Sequence, residues 1–139
     1  MSNNSLIQMT KSSLYCTFFL VFLSLFGCAS VGSIVPVEKR VALSEAKTIQ
    51  DTFKADGWRV DYSYIVREGT MSITCRPSVR FKVEAFDVRL LFIDAQGTVL
   101  EQKLVYSSGQ RNTEKSFDLP PGTVGISFTY SSQPYRGHA

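Results

Sequence analysis

From Trp58 onward the chain alternates apolar and polar side chains with a period of two. Trp58, Val60, Tyr62, Tyr64 and Val66 stand at even positions, with Arg59, Asp61, Ser63 and Arg67 at odd ones. Successive side chains of an extended strand point to opposite faces, so the pattern predicts a strand with one buried and one wet face. Ile65 is the one apolar residue on the wet side. Glu68-Gly69 then supplies a hairpin turn into Met71-Ser72-Ile73-Thr74-Cys75.

Further on the phase changes. Val79, Phe81, Val83 and Ala85 are odd, whereas Phe86, Val88, Leu90 and Phe92 are even. A one-residue slip turns every later side chain over, which predicts a bulge or short break near Ala85-Phe86. Asp94-Ala95-Gln96-Gly97 reads as a tight turn with Gly97 left-handed, and Val99 to Tyr106 as the returning strand. Ser107 to Glu114 is polar and reads as a loop. Phe117 and Leu119 form a short strand, stopped by Pro120-Pro121-Gly122. Val124, Ile126, Phe128 and Tyr130 make the last one, with a frayed tail after Ser132. Ser44 to Ala55 fits either a helix capped by Ser44 or a strand carrying Thr48, Ile49, Thr52 and Phe53; the strand is preferred. Six or seven short strands between turn signals predict an all-β fold, an antiparallel β-sandwich over residues 44–139.

The first part of the chain is of another kind. No charge falls between Lys11 and Glu38, and Leu14 to Phe26 is an apolar run of the length of a secretory h-region. At its end stands Leu25-Phe26-Gly27-Cys28. This resembles the lipobox of bacterial lipoproteins. The resemblance implies cleavage before Cys28, acyl chains on that residue, and a signal peptide of residues 1–27. Ala29 rather than Asp follows the Cys, which in Gram-negative bacteria of the enteric type implies the outer membrane. Two other readings exist: an uncleaved helix spanning roughly 30 Å of hydrocarbon, which Gly27, Ser30, Gly32, Ser33 and Pro36 disfavour, and an ordinary buried Cys28. With cleavage, 139 − 27 = 112 residues remain, enough for one domain. Residues 28–43 mix Ser, Gly, Val and Pro and read as a lipidated, flexible tether, holding the domain clear of the lipid headgroups.

Charge and cysteine count narrow the chemistry. Of the 15 Lys and Arg, Lys11 leaves with the signal, so 14 − 12 gives the mature chain a net charge of +2. That is too little for a nucleic-acid partner. Cys16 also leaves and Cys28 takes lipid, so Cys75 is the one remaining thiol and no internal disulfide forms. Cys75 reads as a small buried hydrophobe, with pairing to another chain or nucleophilic reactivity as alternatives.

No catalytic residue, metal or cofactor is assigned. His138, the single imidazole, lies at a polar terminus, which cannot hold it for a catalytic triad. One His and one thiol do not close a zinc site. Asp94-Ala95-Gln96-Gly97 offers one carboxylate, short of a calcium loop, and no glycine-rich phosphate motif follows a strand. Glu84 and Asp87 straddle the expected bulge and read as solvated charge rather than a catalytic pair. Two constellations are candidates for binding. Trp58, Tyr62 and Tyr64 share a strand face, either a stacking platform for sugar or peptide or the core face. Arg76, Arg80, Lys82 and Arg89 cluster in sequence, either a site for anionic lipid, lipopolysaccharide or cell-wall polymer or a solvated outer face. The expectation is a non-enzymatic envelope module, anchored to the membrane through Cys28, that binds an envelope protein, glycan or anionic lipid. The alternative is a structural accessory subunit of an envelope protein complex.

Overall fold

A computed structural model describes residues 30–45, 47–80, 82–111 and 114–134. The strands are β1 Val41–Ala42, β2 Ile49–Ala55, β3 Trp58–Arg67, β4 Thr70–Val79, β5 Val83–Ile93, β6 Val99–Ser107, β7 Lys115–Asp118 and β8 Gly125–Pro134. They form two four-stranded antiparallel sheets, in the orders β1-β8-β5-β6 and β2-β3-β4-β7. The fold is the expected all-β sandwich, with eight strands among the described residues instead of six or seven. The extra one, β1, lies in the segment read as a tether.

The β3–β4 hairpin follows directly from its sequence. Arg67 pairs with Thr70 across Glu68-Gly69, whose φ values of 52° and 75° are both left-handed. Turns of that hand match the right-handed twist of the flanking strands. The register then places Val60, Tyr62, Tyr64 and Val66 beside Met71, Ile73 and Cys75 on the inner face. Opposite them stand Val88, Leu90, Phe92, Ile126 and Phe128 of the other sheet. Phe128 bridges the sheets, its ring 5.3 Å from Phe53 and 5.1 Å from Tyr62. Each such apolar side chain contributes about 1.5–3 kcal/mol on burial.

The phase change has two causes. Between Val79 and Val83 the chain leaves one sheet for the other, so Val79 belongs to β4 while Val83 and Ala85 already lie in β5 with the even-numbered set. The pairing of β5 with β8 also slips between Val83 and Ala85, close to the bulge expected at Ala85-Phe86. Against β6 the register slips again, because Val88 faces Tyr106 while Arg89 faces Leu104, leaving Val105 as an extra, buried residue.

The segment expected as a flexible tether is instead part of the fold from Ser30 onward. Ser33 closes a turn onto the Ser30 carbonyl at 2.9 Å, made possible by Gly32 at φ 89°. The Gly32 and Val35 amides then donate to the carbonyls of Val99, at the start of β6, and Gly97, in the turn before it, at 2.8 and 2.9 Å. The chain next passes through a 3-10 turn, Val37–Lys39, and pairs as β1 with β8. This strap joins both edges of one sheet. The physical reason lies in β5: Leu90 and Phe92 face the core, while Leu91 and Ile93 face outward and, with Val99, would meet water. Val35 covers them, forming a second apolar cluster. Arg40 locks the crossing, its Nε donating to the Val35 carbonyl at 2.8 Å. At the other terminus β8 runs to Pro134, beyond Ser132, where fraying was expected.

Candidate functional site

The aromatic face is mainly core. Tyr62 and Tyr64 are buried, their rings stacked 6.1 Å apart at 12°. The Tyr64 hydroxyl accepts from the Ser44 amide at 3.1 Å. Burial, and after it the Asp51 carboxylate, push the Tyr62 phenol up to about 12. Neither ring is available as a stacking platform, which corrects that reading for both residues. The face that alternation makes apolar is the one the second sheet covers.

Trp58 differs because it begins β3, at an open end of the sandwich. It is half-buried, stacked on Tyr130 at 5.5 Å and beside Phe53 at 5.6 Å. It lines a groove of about 480 Å³ with Lys54, Asp56, Arg59, Ser78 and Arg80. The Arg80 amide donates to the Gly57 carbonyl at 2.9 Å, which fixes the backbone of the crossover beside the β2–β3 turn. The fold therefore unites one member of each predicted constellation, Trp58 and Arg80. The nearby Tyr130 hydroxyl is buried and makes no hydrogen bond to the described residues.

The four basic residues do not form one patch, a second correction. Arg76 lies on the outer face of β4, paired in register with Asp61. Arg89 lies on the outer face of β5, paired with Thr129 and Leu104. Lys82 is exposed in the crossover between the sheets. The crossover that follows Val79 sends the chain to the opposite layer, so closeness in sequence is not closeness in space. Arg76 instead joins Gln50, Thr52, Asp61, Ser63 and Thr74 around an open depression of about 550 Å³. Thr52 Oγ1 donates to Asp61 there at 2.7 Å. Alternation marks these outward residues as polar, but their grouping needed the β2–β3–β4 register.

Cys75 is buried, and loss of water pushes its thiol up to about 12, so it is neutral at physiological pH. Asp87 accepts from Ser107 Oγ at 2.6 Å, a cross-strand bond between β5 and β6. Among the described residues no group of His, Cys, Asp and Glu has a metal-holding arrangement. Cys28 and His138 lie outside the described residues. In chemical terms, the groove presents an indole, two guanidinium groups, the Lys54 ammonium and the Asp56 carboxylate. The depression presents hydroxyls with one cation, Arg76, and two carboxylates, Asp51 and Asp61. Both suit polar, hydrogen-bonding ligands. No family model, no curated protein and no solved structure matches this chain.

Proposed function

We propose that the chain is a lipid-anchored, non-enzymatic binding or assembly module of the bacterial cell envelope, at the outer membrane. The observation that carries this reading is Leu25-Phe26-Gly27-Cys28 closing an uncharged apolar run, with a folded sandwich starting directly after it. At about 0.8 kcal/mol per buried methylene, one acyl chain binds a membrane reversibly while two or three hold it in effect permanently. The groove at Trp58 and Arg80 and the depression at Asp61 and Arg76 support contact with glycan, anionic headgroups or a polar protein surface.

A second reading, a structural accessory subunit, is favoured by β2. It is an edge strand of seven residues with Gln50, Asp51 and Lys54 exposed, and its outer edge pairs with no other described strand. A partner strand could add there. Pull-down from solubilised envelopes separates the two: a stoichiometric protein partner supports the subunit, retention on glycan or anionic lipid without one supports the binder.

Labelling of cells with a palmitate analogue tests the anchor. The wild-type chain takes up label and its mature form begins at Cys28, while Cys28→Ala takes up none. An unlabelled wild-type chain, or a mature terminus elsewhere, overturns the proposal.

A further inference from the structure

We infer that the strap of residues 31–37 lies against the bilayer itself, so that the outer face of the β5 sheet, not the end of a tether, is the membrane-facing side of the domain. This rests on acylation of Cys28 and adds an orientation to it. Three observations carry it.

The first is reach. Ser30 already accepts the Ser33 amide, and Ser33 Oγ donates to the same carbonyl at 2.5 Å. From Cys28 to that anchored turn is 30 − 28 = 2 residues, at most roughly 7 Å of extended chain. An acyl-bearing residue sits at the boundary of headgroups and hydrocarbon, and so short a lead leaves the strap no room to stand off from it.

The second is where apolar surface is exposed. Among the described residues, the large hydrophobic side chains that remain exposed are Val31 at 60%, Ile34 at 68%, Val37 at 73%, Leu104 at 40% and Val124 at 50%. Val31, Ile34 and Val37 belong to the strap, and Leu104 pairs in register with Arg89 on the outer face of the same sheet. Val124 precedes β8 and accepts from the Leu43 amide at 3.0 Å. None belongs to β2, β3, β4 or β7. Grouped exposed apolar surface of this kind marks a contact with protein or lipid, and the attachment point next to it favours lipid.

The third is charge. Lys39 reaches inward, its ammonium 5.6 Å from the Phe53 ring and donating to the Lys54 carbonyl at 3.0 Å. Arg40 is spent on the Val35 carbonyl. Glu38, directly after the strap, is thus the exposed charge nearest to it, and Val31, Ile34, Pro36 and Val37 present a mainly apolar surface. Arg89, beside Leu104, offers a cation to anionic headgroups on the same face.

The test uses the full acylated protein in vesicles of phosphatidylethanolamine and phosphatidylglycerol that carry a nitroxide-labelled lipid. Ile34→Cys, Val37→Cys and, on the opposite sheet, Ser116→Cys each receive a fluorophore. The buried Cys75 thiol stays neutral and unlabelled at neutral pH. The expected result is strong quenching at 34 and 37 and little at 116. Equal quenching at all three positions, in protein whose mass shows acylated Cys28, overturns the docked orientation and leaves the anchor standing. A mass lacking acyl chains overturns both. Ile34→Asp with Val37→Asp, read from a fluorophore at Leu104→Cys, should lose most of its quenching while acylation and circular dichroism stay unchanged; retained quenching counts against the docked strap.

Discussion

Across the outward side of β2, β3 and β4, Thr52, Asp61 and Arg76 stand in one row and Ser63 beside Thr74 in the next. Ser72 and Ser116 follow, their hydroxyls 3.1 Å apart. On the outward side of β5 the corresponding places hold Leu91 and Ile93, sealed under Val35. Both sheets bury their inner faces in the same core, yet one leaves its outer face to water and the other has it covered by a segment from the chain's beginning. A sheet in contact with water on one side must alternate. A sheet covered on both sides is free to run apolar residues together, as Leu90-Leu91-Phe92-Ile93 does.

If the shared core dominates stability, Phe92→Ala is the most damaging change that bears on the comparison. Phe92 is fully buried and meets Phe117 edge-on at 6.4 Å. Its truncation should cost about 3–5 kcal/mol in urea unfolding, and a cost near that of a surface change would mean the sheets are not held by this contact.

Turns sharpen the contrast next. Gly97 and Gly69 are both left-handed, at φ 83° and 75°. A Cβ on Gly69 meets nothing, whereas one on Gly97 runs into the Arg40 guanidinium. Gly69→Ala should therefore cost only the backbone strain, about 1–2 kcal/mol. Gly97→Ala should cost more and release Arg40 from Val35. Equal costs would show that the Arg40 lock adds nothing.

Val35→Ala carries a global effect of the same order as Gly69→Ala, about 1.6 kcal/mol for two buried methyl groups at ~0.8 each. Its local effect is the informative one. Amide exchange should accelerate at Gly32, Val35 and Val99, whose hydrogen bonds hold the strap, and stay unchanged along β3. Uniform acceleration would mean that strap and sandwich open as one unit.

Strands, hairpin turns and the core face of β3 were legible because each is encoded locally: a period of two, a Gly where the backbone turns left-handed, a Pro where pairing stops. The same alternation left the aromatic row open between platform and core, and the burial of Tyr62 and Tyr64 settles it. The basic residues were misjoined because Arg76 and Arg89 are separated by a crossover that changes sheets, and the strap was missed because Val35 looks like any small apolar residue in a Ser- and Gly-containing stretch.

Sequence by itself determined the all-β class and the positions of most turns, since hydrophobic period and backbone preference act between near neighbours. Only the tertiary structure decided that residues 30–43 are built into the fold instead of forming a tether, and that Trp58 and Arg80 share a groove. Those outcomes depend on burial against segments far away in the chain, and the free energy of such burial is a property of the pair of surfaces, not of either alone.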